Sequence, residues 1–253
     1  MSFDVAAEAY DRFMGRYSRL LSVPFADLAG IRAGQRVLDV GCGPGALAGE
    51  LVSRVGADQV SAVDPSEPFV EAARSRYPGV DVRRATAEVL PFDDARFDAA
   101  LAQLVVHFMA DPLQGIAEMA RVTRQGGVVA ASVWDHGSRR GPLGAFWAEA
   151  RSLNPTVLDE SELAGVREGQ LAELFGAAGL GSVAPSAIVV RVDHPSFEEW
   201  WEPFTRGVGP AGAHVAGLDP TGRAALRDRC HAALGDGPFT IDARAWVARA
   251  IVR

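Results

Sequence analysis

The stretch Val37-Leu38-Asp39-Val40-Gly41-Cys42-Gly43-Pro44-Gly45 is a short apolar strand that carries an acid and runs into a glycine-rich turn. A helix over residues 46–55 follows it directly. Glycines permit positive φ and close backbone approach, and the first amides of a helix lack intrahelical partners, so such a turn suits a nucleotide-like ligand. Asp39 narrows the choice of ligand. A carboxylate at the mouth of the strand repels a pyrophosphate and attracts an amino group.

Outward from this turn the strand–helix pattern repeats. Residues 36–40, 59–63 (ending in Asp64), 80–84, 97–103 and 128–134 read as strands, with helices over 46–55, 67–76 and 112–123. Alternation with short connections predicts an α/β, Rossmann-like, doubly wound and mostly parallel sheet. Residues 4–28 carry Tyr10, Phe13, Met14, Tyr17, Leu20 and Leu21 at three-to-four spacing, which predicts N-terminal helices. Beyond Asp135 the pattern loosens into a Gly/Arg-rich loop over 137–144, an aromatic helix around Phe146-Trp147 and a helix over 168–178. Strand patterns return at 184–192 and 240–252. Between them, 196–237 holds Trp200, Trp201 and Phe204, a Gly/Pro-rich loop from Gly207 to Pro220 and a helix from about Thr221. The segment is too aromatic for a linker and reads as a helical cap insertion. Residues 1–253 thus read as one domain, with 1–30 as a helical lid and 196–237 as the cap.

Composition excludes several classes. A net charge of −7 argues against nonspecific nucleic-acid binding, which needs a basic face. The chain has no lysine, so Schiff-base and P-loop lysine chemistry are absent. Cys42 and Cys230 lie far apart, match no metal-ligand spacing, and read as unreactive packing residues. No His, Asp or Glu pair has metal-ligand spacing, so no metal is expected. No apolar run reaches the roughly 18 residues of a membrane span, and Met1-Ser2-Phe3-Asp4 lacks the regions of a signal peptide, so the expected location is the cytoplasm.

Two cofactors compete for the glycine turn. Gly41-Cys42-Gly43-Pro44-Gly45-Ala46 satisfies G-x-G-x-x-A, and Asp64 falls about 20 residues on, as a dinucleotide site requires. Against NAD stand Asp39 and Pro44, which removes an amide that a pyrophosphate would use. The run 37–45 resembles the first motif of class I S-adenosylmethionine-dependent methyltransferases. Leu90-Pro91-Phe92 followed by Arg96-Phe97-Asp98 is similar to the link between third and fourth strands in the small-molecule members related to quinone biosynthesis. The likeness is rich in motifs from about Tyr10 to Trp134 and looser to Arg253.

The resemblance implies a seven-stranded sheet with its last strand antiparallel. It also implies a site. Asp39, Gly41 and Gly43, with Cys42 between them, would hold the methionine moiety of S-adenosyl-L-methionine. Asp64 would accept from both ribose hydroxyls, since a carboxylate has lone pairs for two donors. Pro65 and Ser66 would lie beside the adenine. Where family members carry an acid after the third strand, this chain has Ala85-Thr86-Ala87-Glu88, so either Thr86 accepts from the adenine amine or Glu88 substitutes. Gln103, Leu104 and Val105 would meet the methionine end and face the acceptor. Tyr10, Arg16 and Tyr17, on the closing helix, would screen the sulfonium and its carboxylate, or simply pack.

His107 lies four residues beyond Gln103 and is the candidate general base, with packing as its alternative. Trp134, Trp147, Trp200, Trp201 and Phe204 form either an apolar acceptor pocket or the core of the cap. The strand-end sequence Gln103-Leu104-Val105-Val106 lacks the turn used by amino-methylating nucleic-acid enzymes. The expected activity is therefore methyl transfer from S-adenosylmethionine to a small apolar or aromatic molecule, with S-adenosyl-L-homocysteine as product. Two alternatives stay open: an NAD-dependent oxidoreductase, and a non-catalytic protein that binds S-adenosylmethionine.

Overall fold

The computed structural model describes residues 7–253. Its strands are β1 (Val37–Val40), β2 (Val60–Asp64), β3 (Asp81–Arg84), β4 (Phe97–Gln103), β5 (Thr123–Trp134), β6 (Ala184–His194) and β7 (Phe239–Ile251). They form one sheet in the order β3-β2-β1-β4-β5-β7-β6. β7 runs antiparallel to both neighbours, and the other six are mutually parallel. The expected doubly wound sheet with its last strand reversed is thus present. The chain leaves β1 toward β2 on one side and returns to β4 on the other, so a crevice opens at the carboxyl ends of these strands.

Central parallel strands lie under helices on both faces and are buried at every position, as β1 and β2 are here. Alternation along β1 sends Leu38 and Val40 into a core with Ile116, Met119 and Phe175. Val37 faces the opposite core, with Phe25, Leu47 and Leu51. These residues come from α2 (Arg16–Ala29) and α3 (Ala46–Val55). The helices α4 (Glu67–Arg76) and α5 (Pro112–Val122) complete the nucleotide-type half; Asp111 caps α5 by accepting from the amides of Leu113 and Gln114. The N-terminal helix is continuous, with α1 (Ala7–Tyr10) and a π-helical turn (Asp11–Gly15) leading into α2. The start of the expected 1–30 lid, residues 1–6, lies outside the described residues.

Two expectations need correction. β5 begins at Thr123 rather than at residue 128: Thr123 pairs with Phe97, and a register shift before Ala99 absorbs the Gly126-Gly127 turn. The stretch between Gly207 and Pro220, expected as a loop, contains α9 (Gly209–Gly217), started by Pro210 in its first turn. Beyond the expected cap, α6 (Gly144–Leu153) packs against α8 (Phe197–Trp201) and α10 (Pro220–Leu234) in a core of Phe146, Trp147, Trp200, Trp201, Phe204 and Leu226. The cap-like layer therefore draws on the chain before β6 as well as after it; α7 (Gln170–Ala177) returns to the sheet. Among the described residues, no helix is long and apolar enough to cross a membrane.

Candidate cofactor cleft

The turn after β1 is locked by its own hydrogen bonds. The amides of Gly41 and Cys42 both donate to the Val63 carbonyl, at 2.8 and 2.9 Å. The Gly43 amide donates to Asp64 Oδ2 at 2.8 Å, and the Gly45 amide to the Cys42 carbonyl at 3.0 Å. Pro44 has no amide. Every backbone donor from 41 to 45 is thus engaged, which leaves no cradle for a pyrophosphate. Gly41 sits at φ +72°, and a Cβ there would lie 2.4 Å from the Val105 side chain, so only glycine fits.

Asp64, at the end of β2, is fixed by two amides: Gly43 on Oδ2, and Ser66 on Oδ1 at 2.9 Å. Burial raises its pKa, and these two amides pull it back down. Each oxygen keeps a lone pair for another donor, which suits a diol. Asp39 shares the Val37 face of β1, under α2 and α3, and is 1% exposed. Neither of its oxygens has a hydrogen-bond partner among the described residues. Burial, reinforced by the nearby Asp64 charge, pushes its pKa up to about 8; the Ala48 amide offsets this only weakly, without normal hydrogen-bond geometry. A buried carboxyl without partners is costly, by about 1–3 kcal/mol per unsatisfied group. A cation placed beside it would remove that penalty.

Gln103 presents a second unmet acceptor. Its Nε2 donates to the Ser18 carbonyl and to Ser22 Oγ, both at 3.1 Å, whereas its buried Oε1 has no partner among the described residues. The next residue, Leu104, lies at φ +65°, a conformation costing a non-glycine residue about 1–2 kcal/mol and characteristic of functional sites.

These elements enclose a cleft of about 290 Å³. Of the residues expected at the cofactor, Tyr10, Gly41, Gly43, Asp64, Pro65, Thr86, Ala87, Glu88, Gln103, Leu104 and Val105 line it. Asp39, Cys42 and Ser66, also expected at the cofactor, stand behind the wall: Asp39 is buried beneath the glycine turn, the Cys42 thiol joins the core and is held protonated by burial beside Asp39 and Asp64, and the Ser66 amide anchors Asp64. Glu88 commits Oε1 to the amides of Ala110 and Asp111, leaving Thr86 the more exposed of the two candidate adenine partners. Phe69, Phe108 and Met109 also line the cleft, and sequence reasoning missed them. Phe69 was legible only as an apolar position on a helix.

Arg16 and Tyr17 turn away from this cleft. Arg16 pairs with Glu199, reaching Oε2 at 2.9 Å, and the Tyr17 hydroxyl meets His194 Nε2 at 2.8 Å. Both therefore tie the N-terminal helix to α8 and β6. Trp200, Trp201 and Phe204 are enclosed in the aromatic core of the cap, where Phe204 stacks on Phe146 at 4.5 Å. Trp147 joins that core and donates from Nε1 to Glu160 Oε2 at 2.8 Å. Trp134 differs: with His107 it lines a smaller cavity that shares Tyr10, Leu104 and Phe108 with the main cleft. His107 is 5% exposed, its pKa held well below the ordinary histidine value by burial and by His136, and its Nδ1 has no partner among the described residues. No cluster able to hold a metal occurs among the described residues.

A doubly wound sheet whose switch-point cleft is lined by Asp64, with Asp39 buried behind the glycine turn and every amide of residues 41–45 engaged, suits a cationic, phosphate-free nucleoside. Comparison with known proteins gives the family. The model described as a methyltransferase domain matches residues 38–131. The demethylmenaquinone methyltransferase of Clavibacter sepedonicus is 32% identical over 238 residues, covering 85% of this chain and 91% of the relative. The malonyl-[acyl-carrier protein] O-methyltransferase of Erwinia billingiae is 34% identical over 146 residues, 58% of this chain and 57% of that protein. The chain spans about half the length of several curated relatives that it matches. The YcgJ protein of Bacillus subtilis shares the fold at a TM-score of 0.58 and 22% identity, covering 94% of this chain and 98% of that one. The chain belongs to the S-adenosylmethionine-dependent methyltransferase family, and S-adenosylmethionine is its cofactor.

Proposed function

We propose that the protein transfers a methyl group from S-adenosylmethionine to a small apolar or aromatic molecule by in-line displacement. The observation that carries this reading is the pair Asp39 and Asp64 beside a glycine turn whose amides are already spent. Asp64, fixed by two amides, accepts from the ribose hydroxyls. Asp39 supplies the negative charge that the methionine ammonium requires, and Gln103 Oε1 accepts a hydrogen bond at the same end. Pro65 and Thr86 flank the adenine, with Phe69 across from them.

The bound cofactor supplies a methyl carbon already activated by a positive sulfur. The protein's work is therefore to hold the acceptor in line and exclude water, and positioning alone lowers such barriers by several kcal/mol. Leu104, at the junction of cleft and smaller cavity, is placed to define that line. Burial beside the His136 imidazole holds the His107 pKa well below the ordinary value, so its ring stays neutral and serves to hydrogen-bond the acceptor.

Calorimetric titration with S-adenosylhomocysteine tests the reading. Wild type is expected to bind, and Asp64→Ala to bind about 100-fold more weakly, roughly 2.7 kcal/mol for two lost charge-assisted hydrogen bonds. Undiminished binding by the variant would contradict it. Transfer of labelled methyl to a panel of small aromatic molecules then separates an enzyme from a protein that only binds the cofactor.

A further inference from the structure

Between Tyr10, which lines the cofactor cleft, and Tyr17, which meets His194, the N-terminal helix passes through the π turn Asp11–Gly15. In an unbroken α-helix, residues seven apart are separated by nearly two full turns and share a face. A π turn inserts an extra residue into that count, so Tyr10 is carried off the Tyr17 face. Its ring instead meets Phe69, another wall of the cleft, edge-on with the centroids 5.3 Å apart.

Contacts on both sides hold this turn. After it stand the Arg16–Glu199 and Tyr17–His194 pairs to α8 and β6. Within it, Asp11 Oδ2 pairs with Arg76 Nη2 at 2.5 Å, and Arg19 lies 3.7 Å from Oδ1. Arg76 is the last residue of α4, so it belongs to the half of the molecule that forms the cofactor cleft. Its Nη1 donates to the Pro44 carbonyl at 3.0 Å. One guanidinium thus joins the N-terminal helix to the glycine turn, and the fork of arginine serves both acceptors at once. Gly15 makes room for the contact: a Cβ there would stand 2.8 Å from Asp11 Oδ1.

We propose that Arg76 is a positioning residue, which holds Tyr10 over bound S-adenosylmethionine by clasping Asp11 to the glycine turn. The inference rests on the cofactor reading above and deepens it, by naming what couples the N-terminal helix to that site. Neither Arg76 nor Asp11 lines the cleft, so the pair acts through Pro44 on one side and Tyr10 on the other. Tyr10 directly precedes Asp11, and fixing the Asp11 carboxylate fixes the direction in which the Tyr10 ring leaves the helix. Without the clasp that ring is free to swing away from Phe69. The loss should be felt in how fast the ligand leaves rather than in how fast it arrives.

The test measures release of labelled S-adenosylhomocysteine from the full chain after an unlabelled chase, with calorimetry for affinity. Arg76→Met should speed release about tenfold and weaken affinity by the same factor, so that association is unchanged. Asp11→Asn, a change of nearly equal size at a partly exposed site, should act alike, and the double variant should be no worse than either single one. It also carries the comparison should Arg76→Met not fold. Arg76→Lys, a point charge in place of a fork, should fall between. Tyr10→Ala should speed release as well and leave Arg76→Met nothing further to add. Trypsin supplies a second readout: S-adenosylhomocysteine should slow cleavage after Arg12 at least fivefold in wild type and hardly at all in Arg76→Met. A role in folding alone would lower the melting temperature and leave release unchanged. If Arg76→Met and Asp11→Asn both release the ligand at the wild-type rate, or if the effects of Arg76→Met and Tyr10→Ala simply multiply, the inference is overturned and the cofactor reading stands. If S-adenosylhomocysteine fails to bind wild type, both fall.

Discussion

The cofactor cleft and the cap-side cavity are neighbours that share Tyr10, Leu104 and Phe108, yet they are built by opposite means. The cleft stands largely on backbone: strand ends, a glycine turn and the Asp64 carboxylate held by two amides. The cavity stands on side chains brought together from α1, the π turn, the segments after β4 and β5, and the cap. One consequence is that damage to the cap and damage to the cleft should separate in experiment, stability following the first and cofactor affinity the second.

Phe204→Ala should give the largest effect, a loss of about 3–5 kcal/mol in unfolding free energy, because it removes a fully buried ring from the aromatic stack. Chemical denaturation measures this, and S-adenosylhomocysteine affinity should stay within about threefold of wild type; a collapse of affinity would dissolve the distinction between the regions. Gly41→Ala should differ by reaching the cofactor as well as the fold. Forcing a Cβ to 2.4 Å from Val105 at φ +72° should lower stability by about 3 kcal/mol and weaken the cofactor more than tenfold. Comparable affinity in this variant would mean that the turn does not shape the cleft. The smallest effect belongs to Arg16→Ala. Its pair with Glu199 is a quarter to a third exposed, so the expected loss is below about 1 kcal/mol. Cofactor affinity should be unchanged, and a tenfold weakening would return Arg16 to the ligand.

The same contrast explains what was legible in the sequence. Val37–Val40, the glycine turn and Asp64 carry short-range signals, so the alternation of strands and helices followed from local pattern, and the residues expected at the cleft followed from the family resemblance. Tyr10 lines the cleft whereas Tyr17, on the same helix, hydrogen-bonds His194, 177 residues away. Helical spacing defines a face, and says nothing of the partner that the face meets. The stretch containing α9 looked like a loop because glycine and proline disfavour helix; burial of Ala211 and Val215 against the cap overrides that preference. His136 and Glu160 form no motif, and only the packing of α6 and its following turn brings them together.

Asp39 supplies the most direct test of the account. Its carboxyl, raised to about 8 in the ligand-free protein, is mostly protonated at pH 7; an ammonium beside it lowers that value, so binding expels the proton. Affinity should accordingly rise with pH up to about 8. Titration with S-adenosylhomocysteine at pH 7, in two buffers of different ionisation enthalpy, should show release of about one proton per site by wild type. Asp39→Asn should release none and bind about tenfold more weakly. Binding by wild type without proton release, or equal affinity in the variant, would contradict the claim that this buried acid selects the cofactor.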